Sequence, residues 1–370
     1  MLDLNCPVFF LGAPTPNGFK SYFNAVYNAD SNWRAYILKG GPGTGKSSLM
    51  RVLAAEFSAK GQTAHLILCA SNPNSLDAVI FPDCKTCVLD GTAPHVLEPL
   101  YPGVCEIIVD LAAALDTATL CANADKILPL FKENSRLHER AGRYINAIGT
   151  LAGDCWRIAL DASDTSKAAR FAGNLARREI PVKSGRPQKT SRQSPSEELR
   201  FLSAFTPAGL IFLEDTIYNM CDRVISIEDE YGASARVILA ILRSAALASG
   251  YDIITCVCPM APDAKVEHII IPELRLAFCT SNRYHKITSA TRRIHARRFA
   301  DIQSLRANRQ KLSFNRRAIK ELNASVCGIL SEADYIHDKL ENYYTSAMDF
   351  KVVDLKLREI SMDISKSIST

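Results

Sequence analysis

The chain of 370 residues carries two copies of one pattern. Phe10-Leu11-Gly12-Ala13-Pro14-Thr15-Pro16-Asn17-Gly18 returns as Phe201-Leu202-Ser203-Ala204-Phe205-Thr206-Pro207-Ala208-Gly209. Tyr27-Asn28 returns as Tyr218-Asn219, Cys69 and Pro73 as Cys258 and Pro262, and Val79–Asp83 as Ile269–Glu273. His95 matches His285. The matches keep their order at a spacing of about 190 residues, which chance does not produce. Two similar α/β domains in tandem are therefore expected, over 1–180 and 198–370. The stretch 181–197 between them is polar, proline-bearing and rich in positive charge, and reads as an exposed linker. A nucleic-acid contact is the alternative there.

Within the first copy, Gly40-Gly41-Pro42-Gly43-Thr44-Gly45-Lys46-Ser47 fits G-x-x-x-x-G-K-S/T at every position. The flanks agree. Ala35–Leu38 is an apolar run suited to a buried strand, and Leu49, Met50, Val52, Leu53 and Phe57 recur at helical spacing. Lys60-Gly61 closes that helix. A strand, a glycine loop and a helix N-terminus make an anion cradle, because the glycines let backbone N–H groups turn onto phosphates. Lys46 is expected at the β- and γ-phosphates, the Ser47 hydroxyl on Mg²⁺, and Ser48 at the rim of the same cradle.

A metal-holding carboxylate belongs at the end of a neighbouring buried strand. Asp90, after Thr86–Leu89, is the first candidate, and Asp110, after Ile107–Val109, the second. A capping role is the structural alternative for both. Gly91 follows Asp90, so the adjacent glutamate that would polarise water is missing.

The second copy is informative by what it lacks. A spacing of 189 sets Gly232 opposite Gly43, Ser234 opposite Gly45, Ala235 opposite Lys46 and Arg236 opposite Ser47, and a spacing of 190 sets Thr280 opposite Asp90. Asp229 and Glu230 replace Gly40 and Gly41, and two carboxylates repel a triphosphate. The helix pattern of Ile238, Leu239, Ile241 and Leu242 persists. The expectation is a retained fold, a lost nucleotide site, and one competent site per chain.

Four segments together resemble a family of bacterial tandem P-loop ATPase-like (ATP-binding) proteins. They are Phe10–Gly18, Gly40–Ser47, Asp90-Gly91-Thr92-Ala93-Pro94-His95, and Thr280-Ser281-Asn282 near His285. The resemblance covers nearly the whole chain. It implies two related NTPase modules and nucleotide binding, without a settled substrate. The family pattern carries a lysine-bearing glycine loop in both halves, and Ser234-Ala235-Arg236 departs from it.

Other constellations are weaker. Cys84 and Cys87 have C-x-x-C spacing but no second ligand pair, so apolar packing is the simpler reading. Cys69 and Cys258 read as small buried residues at strand ends. His95 is a candidate γ-phosphate or substrate sensor, although its match in the silent copy favours structure. Asp77, matched by Glu267, is a candidate base or ligand to a metal-bound water, with a capping role as the alternative. Residues 291–320 hold ten basic side chains and read as one or two basic amphipathic helices. They are a surface for nucleic acid or an acidic protein, or a solvated face. Arg292 or Arg293 is a candidate arginine finger. Long helical periods fill Leu111–Arg178 and the chain from about Ser289 onward.

The charge balance of 44 basic and 39 acidic residues excludes little. No apolar run is long enough to span a bilayer, and the N-terminus lacks a positive n-region. Twelve cysteines without an export signal read as reduced thiols in the cytoplasm. The expected fold is α/β: two tandem P-loop NTPase-like modules with mainly parallel sheets, each followed by a helical extension. The expected ligands are ATP and Mg²⁺, bound by Gly40–Ser48 and Asp90, with ATP hydrolysed there and the second module structural or regulatory. A small-molecule or nucleotide kinase, and a nucleotide-gated nucleic-acid or partner-binding protein, are the alternatives. GTP stays open, since no N-K-x-D guanine signature is found.

Overall fold

The computed structural model describes residues 6–183 and 195–369. The first copy runs β1 (Val8–Phe9), β2 (Gly12–Thr15), β3 (Gly18–Ser21), β4 (Arg34–Lys39), α1 (Lys46–Ala59), β5 (His65–Leu68), β6 (Leu76–Phe81), β7 (Thr86–Asp90) and β8 (Glu106–Asp110). Its extension is α2 (Thr117–Ala122), α3 (Ala124–Asp161) and α4 (Thr165–Glu179). The second copy runs β9 (Glu197–Arg200), β10 (Ser203–Thr206), β11 (Gly209–Phe212), α5 (Glu214–Met220), β12 (Arg223–Glu228), α6 (Ala233–Ala248), β13 (Ile253–Val257), β14 (Val266–Ile271), β15 (Leu276–Ser281) and β16 (Arg292–His295). Its extension is α7 (Ile302–Ala307), α8 (Arg309–Ser346) and α9 (Phe350–Ser369).

Each copy builds a six-stranded sheet, in the orders β1-β5-β6-β7-β4-β8 and β16-β12-β15-β14-β13-β9. Both are mixed and mostly parallel: only β6 and β14 run against their neighbours. The central strands are buried along their length, which is why Ala35–Leu38 and Ala78–Phe81 read as unbroken apolar runs. The best-preserved repeat is a hairpin. Thr15 Oγ1 donates to the Gly18 carbonyl at 2.6 Å and Thr206 Oγ1 to that of Gly209 at 2.8 Å. Both glycines take φ near +100°, which a side chain would oppose.

The extensions cross over. α3 and α8, each 38 residues and about 57 Å long, pack side by side through Leu137, Ala141, Ile145, Ile319, Val326 and Leu330. They run antiparallel, since Leu115 before α3 pairs with Met348 after α8, and Ser163 after α3 pairs with Ala300 before α8. α4 therefore lands on the second sheet, where Ala172, Leu175 and Ala176 join Ile238 and Leu242 of α6. α9 lands on the first, where Val353, Ile360 and Ile364 join Leu49 and Leu53 of α1. Equivalent ion pairs hold the two ends. Arg34 of β4 meets Asp363 of α9 at 3.4 Å, and Arg223 of β12 meets Glu179 of α4. The two sheets lie on either side of the linker, with β9 beginning at Glu197, and each core takes its last helix from the other copy's range.

The basic segment 291–320 differs from the expected helices. Arg292 and Arg293 lie in edge strand β16, a short 3₁₀ turn spans Ala296–Phe299, and only α7 and the start of α8 are α-helical. The apolar alternation of Ile294 with exposed neighbours suits a sheet edge better than a helix. Of the linker, residues 184–194 lie outside the described residues. Its ends rest on the second core, with Lys183 N donating to Ser249 O and Ser196 N to Asp252. Among the described residues no helix is long and apolar enough to cross a membrane.

Candidate functional site

Strands β4, β7 and β8 are parallel neighbours, so Lys39, Asp90 and Asp110 end at one edge of the first sheet. The chain leaves that edge at Gly40 and re-enters regular structure at Lys46. Gly43 and Gly45 both take left-handed φ, of 66° and 85°, and Gly45 caps α1. Thr44 Oγ1 donates to the Gly41 carbonyl at 2.9 Å and folds the loop on itself. The Lys46 ammonium turns back over the loop and donates to the carbonyls of Gly40 at 2.9 Å and Gly41 at 2.7 Å. The Ser47 hydroxyl accepts from Leu76 N at 2.9 Å, which ties α1 to the start of β6.

The two aspartates separate clearly. Asp90 Oδ2 stands 3.6 Å from Lys46 Nζ, while Oδ1 accepts from the Thr92 amide and hydroxyl. Asp110 instead caps the turn at Ala112 and Ala113. Gly91 is fixed by packing: a Cβ there would meet Ile37 Cγ2 at 2.3 Å, so no acidic side chain fits beside Asp90. His95 donates toward Asp77 at 2.9 Å and is boxed by Phe19 and Phe23. These two residues form a buried pair under the hairpin. Cys84 and Cys87 lie at and inside β7, and burial pushes both thiols up, as it does Cys69 and Cys258. Arg292 and Arg293 are committed to Glu179 and Glu228 of the second core.

The loop is covered by the crossed-over arm, which the motif gives no hint of. A Cβ on Gly41 would lie 2.5 Å from the Tyr344 ring, and one on Gly43 would lie 2.6 Å from Thr345 Oγ1 and 2.9 Å from the Glu341 carbonyl. Phe350 and Val353 approach Gly45. Gly43 is thus required twice, by its backbone φ and by the helix seated against it, while Gly41 is required by the helix and Gly45 by its φ. A sequence signal for the arms exists: Asp116-Thr-Ala-Thr-Leu-Cys-Ala-Asn123 returns as Asp301-Ile-Gln-Ser-Leu-Arg-Ala-Asn308. Both aspartates cap the short helix that leads into the long one.

In the second copy the loop is two residues shorter, Asp229–Gly232 against Gly40–Gly45. The constant spacing therefore slips. Gly232, with φ 72°, caps α6 as Gly45 caps α1. Ala233 then stands for Lys46 and Ser234 for Ser47, while Arg236 falls at the place of Leu49. The earlier pairings of Gly232 with Gly43, Ser234 with Gly45, Ala235 with Lys46 and Arg236 with Ser47 are corrected accordingly. The lysine is still absent, and Asp229 fills its cradle. One oxygen accepts from Tyr231 N at 3.3 Å and Gly232 N at 3.0 Å, and the other from Ser234 N at 2.8 Å and Ala235 N at 2.9 Å. A carboxylate of the chain itself occupies the amides that face an anion at such a helix end.

Around it, burial would raise the Glu267 carboxyl, but the Lys265 ammonium and neighbouring imidazoles hold it down to about 2. Burial lowers His285 to about 4 and His268 to about 3. Among the described residues one cluster, His337, Asp338 and Glu341 on α8, has metal-ligand spacing. No family model, curated protein or solved structure matches the chain.

Proposed function

We propose that the chain is a Mg·ATP-binding P-loop NTPase that hydrolyses ATP at one site, the loop Gly40–Ser48 of the first module. The observation that carries this reading is Lys46. It is a nearly buried ammonium at a helix N-terminus, facing a strand-end carboxylate and held only by loop carbonyls, which a phosphate would replace. The donor set also suits Mg²⁺, a hard ion that takes a hydroxyl and one or two carboxylates beside phosphate oxygens. Ser47 and Asp90 would hold it. The ion, when bound, neutralises charge on the phosphates. The Gly43–Ser48 amides bind the phosphates, Lys46 pairs with the β- and γ-groups, and Asp90, 3.6 Å away, orients Lys46. Tyr344, Thr345 and Phe350 close the site from the other module's arm, so nucleotide and arm position are coupled in this reading. Asp229 is the reason we assign the second module a structural or regulatory role.

Isothermal titration with Mg·ATP tests this. One ATP per chain is expected, abolished in Lys46→Ala and kept in Arg236→Ala. Two ATP per chain, or binding unchanged in Lys46→Ala, overturns it. Gly91 favours a second reading, phosphoryl transfer to a small acceptor, because the position beside Asp90 admits no water-activating side chain. Phosphate release from ATP without any acceptor decides for hydrolysis.

A further inference from the structure

The second module contains a cavity that the plugged loop does not explain. It holds about 160 Å³ and lies between the strand ends of the second sheet and the crossing helices α3 and α8. Its walls are of two kinds. Ile148, Ala152, Leu210, Met260 and Ile319 are apolar, while Arg236, Arg316, Lys265, Glu267, Arg283 and Glu230 are charged.

The charges do not cancel. Lys265 is paired with Glu267, and Arg283 with Glu230. Among the described residues neither Arg236 nor Arg316 has a carboxylate within ion-pair distance. The Arg236 guanidinium carbon sits over the Trp156 ring, 4.2 Å from its centroid, and its buried Nε lacks a hydrogen-bond partner. Stacking satisfies the face of a guanidinium but leaves its edge of N–H donors free for a planar anion. Four more lining groups have buried atoms without a partner: Trp156 Nε1, Glu267 Oε2, His285 Nδ1 and Asn323 Oδ1. Glu267 and His285 are 2% and 4% exposed. Buried polar atoms are nearly always satisfied, so five orphans around one cavity indicate a missing polar occupant. Glu267 Oε2 and Asn323 Oδ1 are acceptors, and they call for donors on it.

We propose that this cavity binds a small organic anion with a compact apolar body and at least one hydrogen-bond donor. Its carboxylate or phosphate pairs with the edge of Arg236, assisted by Arg316. Its donor reaches Glu267 or Asn323, and its apolar part lies on Ile148, Ala152 and Ile319. The volume admits a body about the size of a single aromatic ring, too small for a nucleotide. The site is separate from the Lys46 loop, and nothing in it depends on ATP.

Trp33 and Trp156 are the two tryptophans, so Trp33→Phe leaves Trp156 as a reporter inside the cavity. The probes are benzoate, 4-hydroxybenzoate, phenyl phosphate and L-phenylalanine, with the uncharged 4-hydroxybenzyl alcohol as control. Saturable change in Trp156 emission is expected for at least one anion in the millimolar range or tighter. Arg236→Met, checked for native circular dichroism, is expected to weaken it by about tenfold or more. Arg316→Gln is the second variant should Arg236→Met not fold, and it is expected to weaken the same probe. Lys46→Ala leaves the anion titration unchanged, which separates this site from the ATP reading. Absence of saturation by all four anions, equal binding of the uncharged control, or undiminished binding in the folded arginine variant overturns the proposal.

Discussion

Phe10 and Phe201, the same residue of the two copies, pair with each other. Each amide donates to the other's carbonyl at 2.9 Å, and both rings are fully buried. Their shared cluster draws Ile37, Ile67 and Leu89 from one sheet and Ile254, Cys256 and Ile270 from the other. A cluster common to both sheets couples their unfolding. Phe201→Ala is expected to cost about 3–5 kcal/mol and to lower one cooperative transition, not to split it. Two resolved transitions in urea would contradict the shared core.

The crossed helices make a sharper claim. Ile360 of α9, 3% exposed, and Leu175 of α4, 1% exposed, each lie in the core built by the other copy. Truncating a buried Leu or Ile to Ala costs about 2–5 kcal/mol. Hydrogen exchange should therefore report the loss on the far side. Ile360→Ala should deprotect α1 and β4 before α6, and Leu175→Ala should deprotect α6 and β12 before α1. Protection lost within the mutated helix's own copy would refute the exchange of arms.

Asp229 holds four backbone amides, and no other side chain described here shares that role. Asp229→Ala leaves buried donors unsatisfied at the start of α6, a loss of about 1–3 kcal/mol. The urea midpoint should fall accordingly. ATP stoichiometry should stay at one, because Ala233 supplies no ammonium. A second ATP per Asp229→Ala chain would mean that the plug alone silences the second copy.

Acid should weaken the fold before it touches ordinary carboxylates. Burial holds His65 and His268 down to about 3 and His285 down to about 4. A base with a depressed folded value is protonated first in the unfolded chain. Its contribution is complete above about 6.5 and is lost as pH falls toward the folded value, at up to about 1.4 kcal/mol per pH unit for each group. Glu267, at about 2, adds a loss of the same sign below about 4.5. The urea midpoint should thus drop between pH 7 and pH 5, and His268→Leu should flatten that drop. Equal midpoints at the two pH values would contradict neutral burial.

Some of this was legible in the residues and some was not. The hairpin repeat was readable because Thr15 with Gly18, and Thr206 with Gly209, are local turn chemistry fixed within four residues. The Lys46 loop and the Asp90 strand end were readable for the same reason, as motif and periodicity are short-range. The register of the second copy's loop was misread because deletion of two residues leaves flanking strands in step while shifting the helix start. Asp229 was seen as a repelling charge, whereas the folded chain turns it inward to satisfy its own amides. The seating of Tyr344 and Thr345 on Gly41 and Gly43 was invisible locally, since those residues are some 300 positions apart. Arg292 and Arg293 looked helical because the next helix begins shortly after them, yet strand pairing with β12 decides their state.

The exchanged helices also set a schedule for biosynthesis. A ribosome delivers residues 34–110 early, but α1 and its strands keep one flank bare until 350–369 have emerged. The earlier sheet therefore waits for residues 350–369 before it is sealed, and the Gly40–Ser47 loop with it. A nascent chain stalled near residue 200 should expose that greasy flank to chaperones, which makes premature termination costly in a way that an ordinary pair of beads on a string would escape.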